Sequence, residues 1–171
     1  MNDPKHPEIN KKKAWWTGSR GEWYVVIQFL LFALVGLGPK QMAGLPLWPR
    51  PWATIGLGLG AILGLVGLAL ALAGLLHLGT NLTVVPHPKE NSSLVQGGAY
   101  GLVRHPIYSG LIIGAVGWAF LNASTLTLLY ALLLFLFFDL KSRREERWLA
   151  AKFPAYAAYQ GRVRKLIPFV Y

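Results

Sequence analysis

Two groups of polar residues border apolar segments of this chain, and their types suit a ligand-binding site. The first is the run Arg104–Gly110, at the start of one apolar segment; the second is the pair Glu145–Glu146, which follows the next. Pro106 is favoured in the first turn of a helix, so Arg104 and His105 would lie beside free backbone N–H groups that bind anions. Carboxylates bind ammonium groups and hydroxyls instead. Together the two groups predict a site for a small polar ligand.

Apolar segments must position these residues, and composition predicts that the segments lie in lipid. Of the 171 residues 54% are hydrophobic, and the mean hydropathy is +0.40, which leaves too little polar sequence to cover a soluble globule. Four apolar segments predict an all-α integral membrane protein with about four transmembrane helices: Trp23–Gly38, Trp52–Leu78, Pro106–Leu121 and Ser124–Leu140. The third and fourth are joined only by Asn122 and Ala123, which predicts a tight hairpin.

The length of the chain favours one membrane domain over residues 1–171, because no long polar linker divides it. Within it we expect a cytoplasmic segment (1–22), the first two spans (23–78) and the region that holds the site (79–171). Fifteen of the seventeen Lys and Arg lie before the first span, in the second loop or after the fourth span, against two in the first loop. The positive-inside rule then places both termini in the cytoplasm. The charge of +10 is explained by topology and anionic lipid, and no basic module indicates nucleic-acid binding.

Glycines recur every fourth residue in the second segment, at Gly56, Gly60 and Gly64. Such a face lets another helix approach closely. We expect it to pack within the same bundle, and a homodimer through this face is the alternative. His77, His87 and His105 match no metal-ligand spacing, so no metal site is predicted.

After the fourth span the helix is expected to continue beyond the bilayer. Taken alone, the segment Lys141–Leu149 is typical of a solvated helix in which Lys141 pairs with Glu145 at the i,i+4 spacing. Pro154 then ends the helix. A second short amphipathic helix on the membrane surface is predicted from residues at spacings of three and four: Tyr156, Tyr159, Val163 and Leu166.

The order and spacing of these motifs resemble the isoprenylcysteine carboxyl methyltransferase family and the related phospholipid methyltransferases. The resemblance covers residues 79 to 171, and the first two spans match only in character. It rests on residues in a fixed order: Gly98, Tyr100, Arg104-His105-Pro106, Tyr108, Gly110, Glu145-Glu146, Leu149, Phe153, Tyr156, Tyr159, Arg162 and Ile167-Pro168-Phe169.

This resemblance implies methyl transfer from S-adenosylmethionine to a lipophilic acceptor, in a membrane protein that we place in a bacterial inner membrane. It implies a cofactor pocket formed by Gly98, Tyr100, His105, Pro106, Tyr108, Gly110, Glu145 and Glu146. Arg104 and Arg162 would be the catalytic residues, and Tyr156 and Tyr159 would bind the substrate. Arg104 or Arg162 would orient a carboxylate acceptor, whereas an amine or thiol would need a base such as His105 or a Glu.

Two other functions stay open. The C-terminal halves of membrane sterol reductases resemble the same fold, carry a similar Arg-His-Pro element and use NADPH, although such enzymes usually have many more spans. A non-enzymatic membrane scaffold would leave Arg104–Gly110 and Glu145–Glu146 without a purpose. Methyl transfer therefore ranks first, reduction second and a scaffold last.

Overall fold

The computed structural model describes residues 22–82 and 92–171, and this part of the chain is helical without any β-strand. The predicted N-terminal segment and His87 lie outside the described residues. Within the described ranges, six α-helices and a 3₁₀ turn at Gly79–Asn81 are found: α1 (Glu22–Leu37), α2 (Trp52–Leu78), α3 (Ala99–Leu102), α4 (Pro106–Leu121), α5 (Thr125–Lys152) and α6 (Tyr156–Arg162).

Local sequence signals set most helix boundaries where they were predicted. α2 and α4 have the bounds of the second and third apolar segments, and α4 begins at Pro106. The Ser124 side chain caps α5 by accepting a hydrogen bond from the backbone N–H of Thr127 at 3.0 Å, which satisfies one of the unpaired donors at a helix start. α5 continues past the fourth apolar segment to Lys152, two residues before Pro154.

Two helices of the described chain are long and apolar enough to cross a membrane. They are α2 with its 3₁₀ turn, over Trp52–Asn81, and α5, over Thr125–Lys152. α1 and α4 are apolar but have 16 residues each. By length and composition, the structure thus supports two of the four predicted spans directly.

Glycines bring α2 and α4 into backbone contact. A Cβ atom added to Gly60 would lie 2.7 Å from the Gly117 carbonyl oxygen, and one added to Gly67 would lie 2.6 Å from that of Gly110. Gly56 faces the end of α4 in the same way, whereas a Cβ at Gly64 would meet nothing within 4 Å. The predicted packing within the bundle is therefore confirmed for two of its three glycines. α4 occupies the face proposed as an alternative homodimer surface.

Large side chains form the core on the other side of α4. Leu134 and Phe138 of α5 are almost fully buried there, together with Val35 of α1 and Ile112 of α4. At the opposite end, the loop before α2 covers the turn between α4 and α5. The Trp48 backbone N–H donates to the Ala123 carbonyl at 2.8 Å, and its indole N–H donates to the Thr125 hydroxyl at 2.8 Å. These contacts fix α4 and α5, which carry the residues singled out by the sequence.

Replacing Gly67 by Leu should destabilise the protein, because the new side chain would collide with the α4 backbone, which cannot rotate away. Overpacking of this kind costs about 1–3 kcal/mol. Gly58 is the matched control, since it lies on the same helix with nothing within 4 Å. Thermal unfolding in detergent, followed by tryptophan fluorescence, should show a lower Tm for Gly67→Leu and little change for Gly58→Leu. Equal losses would contradict the packing of α2 on α4.

Candidate functional site

The chain after α6 is tied by backbone hydrogen bonds to the residues before α4. The Arg104 N–H donates to the Arg164 carbonyl at 2.7 Å, and the His105 N–H donates to the Lys165 carbonyl at 3.2 Å. This pairing brings the last residues of the chain beside the start of α4. The two polar groups of the sequence then meet because α5 runs antiparallel to α4 and returns Glu145–Glu146 to the same end.

Arg104 forms a buried ion pair at this junction. Its Nε donates to Glu146 Oε1 at 2.7 Å, and both side chains are 11% exposed. Its Nη1 donates to the backbone carbonyls of Gln160, at 3.2 Å, and Val163. Charge-assisted hydrogen bonds of this kind are stronger than neutral ones. One guanidinium group therefore joins the start of α4, α5 and the segment after α6.

His105 lies between the two glutamates and an aromatic stack. Its Nε2 is 3.2 Å from Glu146 Oε1, and its Nδ1 is 3.6 Å from Glu145 Oε2. The imidazole stacks on the Tyr108 ring, with centroids 5.5 Å apart and planes 5° from parallel, and Tyr108 stacks in turn on Phe138. The ring of His105 is thus fixed on one side by carboxylates and on the other by the core.

A cavity of about 260 Å³ lies against this cluster. Its polar wall contains seven of the predicted residues: Tyr100, Arg104, His105, Tyr108, Glu145, Tyr156 and Tyr159. Its apolar wall contains Leu78, Leu82, Leu94, Val95, Ile107, Leu111, Leu149 and Phe153. An apolar cavity with a few convergent polar groups is the usual form of a small-molecule site.

Two buried polar atoms of this wall have no hydrogen-bond partner among the residues that the structure describes. They are Oε2 of Glu145 and the hydroxyl of Tyr156, and both residues line the cavity. Buried polar atoms are nearly always hydrogen-bonded in folded proteins, so exceptions need an explanation. A polar ligand in the cavity would supply the missing partners.

The cavity also holds a lysine that the sequence reading placed in solvent. Lys141 is 2% exposed, donates to Gln28 Oε1 of α1 at 2.6 Å, and lies 5.1 Å from the centre of the Tyr108 ring. No ion pair joins it to Glu145 among the described residues. The interpretation of Lys141–Leu149 as a solvated helix with an i,i+4 pair is therefore wrong at these two positions, because α1 covers that face of α5.

Lys141 was missed because its partner lies on a distant helix. Gln28 was the available signal, since it is a polar residue in the middle of an apolar helix. Polar residues inside a membrane segment are functional candidates by default.

Tyr156 and Tyr159 face inward from α6. They are 1% and 2% exposed, and the Tyr159 hydroxyl donates to the Tyr100 carbonyl at 2.6 Å. Burial raises the pKa of Tyr159 to about 12, so this hydroxyl remains a donor at neutral pH. This side of the predicted amphipathic helix thus packs on the protein itself, and the helix ends at Arg162, before Val163 and Leu166.

Several residues named from the family resemblance do not line the cavity. Gly98 has φ +59°, and the His77 ring occupies the position that a side chain would take there. Pro106 begins α4, and Gly110 contacts α2. These three residues are not part of the cavity lining, and they support the residues that form it.

Glu146 and Arg162 belong to a neighbouring polar cleft of about 530 Å³. Arg162 is exposed, and its Nη2 donates to the Gln96 side chain at 3.0 Å. The structure therefore does not bring Arg162 into the apolar cavity, whereas Arg104 lines both spaces.

Comparisons with known proteins agree with the family resemblance. Residues 55–155 match the family model described as phospholipid methyltransferase. A cobalt-zinc-cadmium resistance protein of Cupriavidus metallidurans is 31% identical over 86% of this chain and 62% of its own length. A nickel-cobalt-cadmium resistance protein of Alcaligenes xylosoxydans is 28% identical over 86% and 63%. The protein-S-isoprenylcysteine O-methyltransferase of Schizosaccharomyces pombe is 32% identical over 61% and 46%.

The chain thus spans about three fifths of the length of the two resistance proteins. Although their names refer to metals, residues 22–82 and 92–171 contain no group of three His, Cys, Asp or Glu that could hold a metal ion.

Replacing Arg104 by Met should destabilise the protein and loosen the segment after α6, because Glu146 would lose a buried cation and two carbonyls would lose their donor. Breaking a buried ion pair costs about 3–5 kcal/mol. Thermal unfolding should show the loss, and trypsin should cut faster at Arg162, Arg164 and Lys165. Arg147→Met is the control, since Arg147 is an exposed arginine on α5, next to Glu146. Cleavage at the wild-type rate would show that Arg104 does not hold this segment.

Proposed function

The chain belongs to the phospholipid methyltransferase family, and from this premise we propose that it transfers a methyl group from S-adenosylmethionine to a lipophilic acceptor at the cytoplasmic membrane interface. The observation that carries the proposal is the apolar cavity with two unpartnered buried polar atoms, Glu145 Oε2 and the Tyr156 hydroxyl. The acceptor belongs to one of three classes, namely the carboxylate of an isoprenylcysteine-like compound, a lipid amine or a lipid thiol.

The donor set of the cavity fits S-adenosylmethionine. Its ammonium group and ribose hydroxyls are donors that Glu145 can accept, and the Tyr156 hydroxyl can bind a polar atom of the base or sugar. Tyr100 and Tyr108 offer aromatic faces to adenine or to the sulfonium cation. His105, at the start of α4, can serve the carboxylate end. Gly98, Pro106 and Gly110 contribute by positioning these residues.

When bound, the cofactor supplies a methyl group already activated by its sulfonium. The protein must therefore align the acceptor with that methyl group and exclude water. A new bond joins the acceptor atom to the methyl carbon while the carbon–sulfur bond breaks, which leaves S-adenosylhomocysteine. A carboxylate acceptor loses no proton, whereas an amine or thiol must give one up, for which His105 and Glu145 are the nearest bases.

Arg104 serves this site best as a positioning residue. Its Nε and Nη1 already donate hydrogen bonds to Glu146 and to two backbone carbonyls. Its positive charge therefore stabilises the cavity wall and is not directed at the acceptor. This role replaces the direct neutralisation of the acceptor suggested by the sequence. Tyr159 likewise holds α6 against α3 through the hydrogen bond of its hydroxyl to the Tyr100 carbonyl. Arg162 lies in the adjoining polar cleft, and any catalytic role would be exerted from there.

We place four helices across the membrane, namely α1, α2, α4 and α5, with both termini in the cytoplasm of a bacterium. α1 and α4 would each extend about 24 Å, close to the hydrocarbon thickness of about 30 Å. The cationic residues after Leu140 then lie on the cytoplasmic side. The cavity opens there to a soluble methyl donor, and a lipophilic acceptor can enter from the bilayer.

Calorimetric titration of the detergent-purified protein should show saturable binding of S-adenosylhomocysteine and none of NADPH. Binding of NADPH alone would favour the reductase alternative and overturn the proposal. Absence of binding by either compound would also contradict it.

Three conservative variants should separate ligand contacts from fold contacts. Tyr156→Phe removes an unpartnered hydroxyl, so it should weaken S-adenosylhomocysteine binding several-fold without lowering Tm. Tyr159→Phe removes a hydroxyl bonded within the fold, so it should cost about 1 kcal/mol of stability and leave binding almost unchanged. Glu145→Gln should weaken binding about tenfold or more, because a charge-assisted contact is lost. The reverse pattern for the two tyrosines would contradict this assignment.

A further inference from the structure

We propose that Lys141, held in place by Gln28, forms an anion subsite that binds the negatively charged head of the lipophilic acceptor. The proposal rests on the methyl-transfer function proposed above and specifies that the acceptor is negatively charged. Lys141 lines the cavity, is 2% exposed and contacts both α1 and the Tyr108 ring.

Lys141 has no direct ion-pair partner among the described residues, and the Glu145 carboxylate acts on it only from a longer distance. Its ammonium group has three N–H donors, and its hydrogen bond in the structure is to the neutral amide of Gln28. No carboxylate of the described residues lies within ion-pair distance of it. A buried cation is costly unless it is paired and hydrogen-bonded. A ligand anion in the cavity would complete this arrangement.

The position of Lys141 favours the acceptor over the methyl donor as the source of that anion. Glu145 lies one turn further along α5, about 6 Å along the axis, so Lys141 is closer to the apolar part of the helix. Gln28 lies on α1, before the family match at residues 55–155. Family members can share a methyl donor while their acceptors differ, so a residue pair that depends on α1 suits the variable ligand.

The geometry points to an anionic amphiphile. Its apolar tail would lie along side chains such as Ile107 and Leu111 of α4, which line the same cavity. Its anionic head would reach Lys141, within one helical turn of the carboxylate proposed to bind the donor. A protonated amine head would be repelled by the buried ammonium group.

The test compares two probes that differ only in charge, N-acetyl-S-farnesylcysteine and its primary carboxamide. Binding is measured by calorimetry in a neutral maltoside detergent, with S-adenosylhomocysteine at saturation. Wild-type protein should bind the carboxylate about tenfold or more tightly than the amide, because a buried charge contact is made only with the former. Lys141→Met should remove this preference, and Lys141→Arg should keep part of it.

Gln28→Glu gives an independent variant, because it places a carboxylate beside Lys141 and should abolish the preference from within the protein. All three variants should bind S-adenosylhomocysteine within about twofold of wild type, because the groups proposed to contact it, Glu145 and the Tyr156 hydroxyl, are left in place. That titration also reports whether each variant is folded.

Three outcomes would overturn the proposal. Equal binding of the two probes by wild type would exclude the anion subsite while leaving methyl transfer intact. A large loss of S-adenosylhomocysteine affinity in Lys141→Met, with the probe preference retained, would assign Lys141 to the donor. No binding of S-adenosylhomocysteine by wild type would reject the proposed function itself.

Discussion

The Arg104 guanidinium is the contact on which the site depends. It bonds to Glu146 of α5 and to the carbonyls of Gln160 and Val163, so it connects three parts of the chain. The contact of His105 with Glu146 and the buried ion pair of Lys165 with Asp139 reinforce the same junction. Backbone pairing of residues 104–105 with 164–165 supports the same junction. The polar wall of the cavity exists because these segments are held at one end of the α4–α5 pair.

Adjacent residues take different roles there because of helix geometry. Successive side chains on a helix point about 100° apart, so Glu146 meets Arg104 while Glu145 turns towards the cavity. Lys141 lies one turn before Glu145 and shares its direction. Fewer than two turns of α5 therefore provide a structural carboxylate, a carboxylate available to a ligand and a buried cation.

Local rules were sufficient to predict α1, α2, α4 and α5 and part of the site, whereas the short helix α3 was not predicted. Pro106 and Ser124 marked helix starts, and the spacing of the motifs brought His105 together with the two glutamates. The glycine stripe was predicted only in part. A spacing of four drifts about 40° per step on a helix of 3.6 residues per turn, so Gly64 turns away and Gly67 takes over the contact. Lys141 is buried because α1 packs against α5. The position of α1 depends on contacts between residues far apart in the sequence, and motifs with short spacings do not predict it.

The glycine contact between α2 and α4 also bears on how such a protein can change its ligand. Because the backbones of α2 and α4 are in direct contact, there are no side chains between them that could adjust. The arrangement of these two helices is therefore nearly fixed. On the α1 side the Gln28 side chain lines the cavity, and it can be replaced without altering the contact between α2 and α4. We therefore expect relatives to differ in ligand preference through substitutions on α1. Such substitutions leave the contact between α2 and α4 unchanged.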